Sequence, residues 1–277
     1  MPTVPAFRFF ALAVLAIAGP AHVPPAAASG AAAPVYRYTD VADLAIKAPM
    51  VIDATIRSAT RIKGADAAST APGFVRFYVT VDVIALIRGP AAVPLRLSYV
   101  LDAQQDSNGN LPKLKKQRVL LFARSAGELT DQIQLVAPGA QLQWSAATES
   151  MTRRIAADVA AANAPLEIVG IANAFHAAGA LPGEGQSQIF LTTTGGPVSL
   201  NITRKQGTPP AWTVALTEVV GDALPPPQRD TFLWYRLACG LPAQIPTSTL
   251  AGLDSQDAAA VTEDYALVID TLGPCRP

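Results

Sequence analysis

Between Val75 and Val83 the chain alternates without a break. Val75, Phe77, Val79, Val81 and Val83 share one face, and Arg76, Tyr78, Thr80 and Asp82 share the other. A period of two is the signature of a strand with one face in a core. Its β-branched and aromatic side chains suit a pleated surface. The run ends at Arg88-Gly89-Pro90, a turn signal. This half of the chain must therefore be organised by a sheet.

Its neighbours read the same way. Met50, Ile52, Ala54 and Ile56 alternate with Val51, Asp53, Thr55 and Arg57, a half-buried strand, and the small, polar stretch Gly64 to Gly73 is a loop. Val93, Leu95, Leu97, Tyr99 and Leu101 mark a third strand. Asp106-Ser107-Asn108-Gly109-Asn110 then forces a loop through its Asn-Gly step. Arg118 to Ala123 is almost continuously apolar, which predicts a strand covered on both faces. Gln132 to Val136 is a fifth strand, before the Pro138-Gly139 turn. Five short strands in succession predict a small barrel over residues 35–145. The order of long strand, Arg-Gly turn, strand, loop and hydrophobic strand ending Leu121-Phe122-Ala123 resembles the OB-like barrels of netrin-type and metalloproteinase-inhibitor-type modules. Their cysteine framework and metal-facing N-terminal cysteine have no counterpart here, so the likeness implies a barrel and no inhibitory residue.

From Thr148 to Asn163 the period becomes helical, with Met151, Ile155, Val159 and Ala162 on one stripe, Thr148 as the expected N-cap and Pro165 barring continuation. Strands are expected at Leu166 to Ala174, Gln188 to Thr194, Val198 to Arg204 and Trp212 to Val220, the last three joined as an antiparallel meander by Gly-Pro-rich turns. Two helices follow, Gln228 to Cys239 and one starting near Ser255 with Val261, Tyr265, Val268 and Leu272 on its stripe. The expected fold class is mostly β: an OB-like barrel, then an α+β domain over residues 146–277.

The N-terminus bears on location. Arg8, the apolar run Phe9 to Ala18, the Gly19-Pro20 break and Ala26-Ala27-Ala28 have the form of a cleaved signal peptide over residues 1–28. The run is shorter than the roughly 20 residues of a membrane-crossing helix. The expected mature chain starts near Ser29 in the periplasm or outside the cell, with no membrane span. Its net charge of −1 after loss of Arg8 gives no footprint for nucleic acid. Cys239 and Cys275 are the only cysteines, and an oxidising compartment makes a disulfide the default pairing over two free thiols or a two-thiolate metal site. Closing that loop stabilises by about 4 kcal/mol on the chain-entropy argument.

The catalytic inventory is thin. His22 leaves with the leader, so His176 is the sole remaining imidazole. Ser-His-Asp or Cys-His chemistry is thus narrowly possible, and zinc would need carboxylates for nearly every other ligand. The catalytic candidates are His176 and Glu184, the latter between Gly183 and Gly185 in a loop. Asp53, Asp82 and Asp102 could cluster as paired carboxylates, although a solvated barrel face also places them. The Asp106 run fails as a calcium loop, with Leu111 in the glycine position and Gln117 in the glutamate position. Lys113, Lys115, Lys116 and Arg118 form one basic cluster, read as a solvated hairpin end or a contact for an acidic partner or lipid headgroup. Asn201-Ile202-Thr203 is a glycosylation sequon. Trp212, Trp234 and Phe175 are aromatic pocket candidates, with Trp234 at core spacing. No cofactor motif or metal-ligand spacing is present, so no cofactor and no metal are expected.

Two blocks, Gln188-Ile189-Phe190-Leu191-Thr192-Thr193 and Leu233 to Pro242, resemble exported proteins of alphaproteobacteria. The likeness implies a location and no mechanism. The leading expectation is a non-catalytic binding or adaptor module for an envelope protein or small ligand. The alternatives are a carboxylate-dependent envelope hydrolase using His176 and Glu184, and a structural subunit of an envelope assembly.

Overall fold

The computed structural model describes Met1 and residues 34–127, 130–216 and 223–276. Beyond Met1, the expected leader and its cleavage site lie outside the described residues. No described helix is long and apolar enough to cross a membrane.

The first sheet has six strands: β1 (Met50–Arg61), β2 (Phe74–Arg88), β3 (Arg96–Gln104), β4 (Arg118–Ser125), β5 (Ile133–Leu135) and β6 (Gln141–Gln143). Their order is β3-β2-β1-β4-β5, with β6 also on β4. A single parallel bridge between Ser98 and Gln132 joins β3 to the start of β5, so the sheet is a nearly closed, OB-like barrel. Three register shifts between β1 and β2 bend these long strands around the curve. The inward alternation holds at Val75, Phe77, Val79, Val81, Leu97, Tyr99 and Leu101, all buried. It fails at the start of the expected third strand: β3 begins at Arg96, Leu95 before it is 84% exposed, and Val83 and Val93 are only half-buried.

The outer side of β1 and β4 departs from a solvated barrel face. Helix α1 (Tyr38–Lys47), which the sequence reading left unassigned, and helix α2 (Ala146–Ala160) cover it. Val51, Leu120 and Phe122 join Val41, Ala42, Ala45 and Ile155 in one buried cluster. The first half of β1 is therefore buried on both faces, where alternation predicts one, and the apolar run of β4 is buried throughout as expected.

The second sheet is a four-stranded antiparallel meander, β7 (Ile168–Ala178), β8 (Gly185–Thr193), β9 (Val198–Arg204) and β10 (Ala211–Ala215), in sequence order. β7 and β8 run further toward each other than predicted, leaving a short turn between Gly179 and Glu184. Residues 217–220 of the expected last strand lie outside the described residues. Helices α3 (Phe232–Gly240), α4 (Thr247–Leu250) and α5 (Ser255–Leu272) complete the chain and pack against this sheet.

Helix starts follow their caps. Ser145, three residues before the predicted Thr148, accepts from Thr148 N at 3.1 Å, because an extended residue there frees its hydroxyl for an unpaired helix N–H. Thr231 accepts from Trp234 N, so α3 begins at Phe232 and not at Gln228. Asp254 accepts from Gln256 N and Asp257 N and starts α5. The buried cluster that holds α1 and β4 continues through Ile189, Leu200, Trp234, Tyr265 and Val268, so the barrel segment and the α+β segment share apolar contacts. Cys239 and Cys275 form a disulfide with Cα atoms 5.0 Å apart, tying the end of α3 to the residues just after α5. The reading of Trp234 as core holds: it is 1% exposed and its Nε1 donates to Leu272 O at 2.8 Å.

Candidate functional site

His176 lies directly opposite Ser187 on the β7–β8 ladder. Its Nδ1 is 2.9 Å from Ser187 Oγ. Ser187 Oγ in turn lies 2.5 Å from Asp264 Oδ2 on α5, and Arg204 Nε donates to Asp264 Oδ1 at 2.5 Å. A serine hydroxyl has one proton. Given to the carboxylate, it leaves Ser187 as the acceptor of His176 Nδ1–H. Gly185 makes room for the ring, since a Cβ there would sit 2.7 Å from His176 Cε1.

This chain of contacts has the residue types of a hydrolytic triad in the wrong order. A nucleophilic serine passes its proton to histidine, with the acid behind the imidazole. Here the serine stands in the middle, its proton is committed to Asp264, and both Ser187 and Asp264 are 0% exposed. The arrangement works as a polar strut between β7, β8, β9 and α5.

Glu184 takes no part in it. Its Oε1 accepts from Gln206 N at 3.2 Å, and its Cβ lies where Gly179 has no side chain. The structure gives His176 and Glu184 separate partners and does not bring them together as an acid–base pair. Sequence reasoning missed Ser187, Arg204 and Asp264. Asp264 carried a signal, because it sits three residues after Val261 and one before Tyr265, inside the apolar stripe of α5.

The three barrel aspartates also separate, each onto arginines of its own. Asp53, expected on a solvated face, is 0% exposed and bonded to Arg118 through both carboxylate oxygens, at 2.9 and 2.5 Å. The burial follows from the cover by α1 and α2. Arg118 stacks 4.0 Å over Trp144, whose Nε1 donates to Glu149 Oε2 at 2.8 Å. That hydrogen bond, with those of Arg153, holds the Glu149 carboxyl below its ordinary range. Asp82 bonds Arg96 and Arg57, and Asp102 bonds Arg76. Of the basic cluster, Arg118 is thus turned inward, while Lys113, Lys115 and Lys116 are exposed. Asp106 accepts from Asn108 N and Asn110 N at 2.8 Å each, a turn with its acceptors used internally. Asn201 of the sequon is buried, 8% exposed.

An open concave feature lies elsewhere. Beyond the Ser98–Gln132 bridge, β3 and β5 part, and the wedge between them encloses about 710 Å³. Phe74, Tyr78 and Val100, on the outer face of β2 and β3, contribute apolar surface and are 40%, 41% and 49% exposed. Tyr99 lines it from within, donating to Gln141 Oε1 at 2.5 Å, and its burial pushes the phenol above its ordinary range. Polar groups stand at the rim. Arg76 grips both oxygens of Asp102, at 2.7 and 2.8 Å, which holds that carboxyl below the usual range. Arg124 spends Nε and Nη2 on one neutral oxygen, Gln134 Oε1, at 3.2 and 3.0 Å. An apolar cleft of this size with a few convergent polar groups is the form small-ligand and peptide sites take. The sequence reading placed no site here, and of its aromatic candidates Trp212 is buried and Phe175 is exposed against Phe190, away from the wedge. Among the described residues no group of three or more His, Cys, Asp or Glu is placed to hold a metal ion.

No family model matches the chain, and no curated protein matches it either.

Proposed function

We propose that the protein is an exported, non-catalytic binding module that takes its ligand or partner in the wedge between β3 and β5. The observation that carries this reading is the wedge itself: an open cleft of about 710 Å³ whose walls expose Phe74, Tyr78 and Val100 beside Arg124 and Asp102. Large apolar side chains grouped on a surface mark interaction sites more often than single ones do. The disulfide supports export, since cross-links persist in oxidising compartments. The strut through His176 supports a non-catalytic role, because its serine is buried with its proton spent.

The test uses stabilisation by binding, which raises the melting temperature of whatever binds in the folded state. Fractions of envelope extract are added to the parent chain, to Phe74→Ala/Tyr78→Ala and to His176→Ala. The reading expects a fraction that raises Tm in the parent and in His176→Ala but not in the double variant. A fraction that stabilises the double variant equally, or one whose effect vanishes only with His176→Ala, overturns it.

A further inference from the structure

The β2–β3 ladder decides which edge of β3 is free. Gln105 N donates to Gly73 O at 2.9 Å and Val83 N donates to Leu95 O at 2.8 Å. With the continuous register between those bonds, the odd-numbered residues of β3 give their backbone groups to β2. The even-numbered ones, Ser98, Val100, Asp102 and Gln104, turn theirs to the opposite edge. Ser98 uses its N–H there, donating to Asp131 O at 2.9 Å across the single bridge to β5. Among the described residues, Val100, Asp102 and Gln104 have no backbone partner on that edge. The free edge forms one wall of the wedge.

An open edge is a template for another strand, and proteins commonly blunt it with proline, lysine or a covering loop. Here it carries Val100, half exposed, and Asp102, already neutralised by Arg76. Across the wedge, Arg124 is held by a neutral amide and has no carboxylate partner among the described residues.

We propose that the occupant is an extended peptide segment of a partner protein, added as a strand to the edge of β3 at Val100, Asp102 and Gln104, with a peptide carboxylate on Arg124. This rests on the wedge being the binding site and names what fills it. Main-chain hydrogen bonds supply the affinity in strand addition, and alternate side chains supply the specificity. Peptide side chains turned outward lie beside Val100 and Asp102, and those turned inward meet Tyr99, Leu101 and Leu135. With no carboxylate partner for Arg124 among the described residues, its charge favours a segment bearing Glu, Asp or a free C-terminus.

A displayed random heptapeptide library is selected on the full chain, and the selected peptides are synthesised with and without N-methyl groups on alternate residues. Val100→Pro removes one free N–H and leaves the β2 ladder intact, because that N–H is not part of it. Selected peptides are expected to lose at least tenfold in affinity on N-methylation in one of the two alternations, and on Val100→Pro. Arg124→Gln is expected to weaken the carboxylate-bearing peptides, and the Val100 and Asp102 amides to exchange at least tenfold more slowly in the complex. Should Val100→Pro fail to fold, the N-methylated peptides decide, since they leave the protein untouched. Peptides that bind the wedge equally well after both N-methylations, without amide protection, overturn strand addition while the binding site stands. So does a library that yields nothing when a non-peptide envelope fraction shifts wedge resonances. If neither perturbs the wedge, the peptide and the site fall together.

Discussion

Ser187 on β8 gives its proton to Asp264 on α5 across 2.5 Å, with both residues 0% exposed. Arg204 closes the other carboxylate oxygen, so the buried charge is paired and hydrogen-bonded. Ser187→Ala strips one of those bonds and leaves an acceptor unsatisfied in the core. It should cost about 1–3 kcal/mol, read as a lower urea midpoint at unchanged slope. The neutral imidazole of His176 should carry its proton on Nδ1, which ¹⁵N shifts report directly; an Nε2–H tautomer contradicts the assignment.

The second buried charge is Asp53. Its partner Arg118 is about a third exposed, and Asp53 is not exposed at all. Removing the arginine strands the carboxylate. Arg118→Leu should therefore destabilise by about 3 kcal/mol, the lower end expected for breaking a buried pair. Lys113→Ala, on the exposed part of the same basic run, should stay within about 0.5 kcal/mol.

Acid should loosen the fold in a defined window. Arginine hydrogen bonds depress Asp82 and Asp102, and turn hydrogen bonds from Asn110 depress Asp106, from an ordinary 3.8; the Trp144 bond chiefly depresses Glu149 from 4.5. A depressed carboxylate stabilises the fold above its unfolded pKa, and that contribution is lost as pH falls through the folded pKa. Stability measured by urea should be flat in these groups above about pH 5. It should decline as pH drops through 4.5 and 3.8 and below. Asp102→Asn should reduce that decline.

The Cys239–Cys275 bridge fastens the C-terminal residues to α3, where Arg276 also pairs with Asp43 and Tyr235 donates to Asp43 Oδ1 at 2.6 Å. Cys239→Ser/Cys275→Ser should cost about 2–5 kcal/mol. Proteolysis should then remove the residues after Leu272 faster than in the parent, without first cutting the barrel.

The elements legible in the sequence are those whose periodicity reports a buried face. β2, β3 and the apolar stripe of α5 follow directly from alternation or from i, i+4, i+7 spacing. Helix α1 escaped because its buried side chains are largely small, as at Ala42 and Ala45, and Arg37 offers no side-chain cap. Asp53 was misplaced because alternation describes one strand and cannot reveal a helix laid over its outer face. The partners of His176 sit 11 and more residues away, so only the fold assembles them. The wedge had no local signal at all: it exists because β3 and β5 meet once and then part.

Amide-resolved NMR tests the central claim most directly. The ¹⁵N-labelled full chain is titrated with whichever envelope fraction or selected peptide raises its melting temperature. Shift changes should centre on Val100, Asp102, Arg124 and Gln132 to Leu135, and be lost in Phe74→Ala/Tyr78→Ala. Changes centred on His176, Ser187 and Arg204, with the wedge silent, would contradict the account.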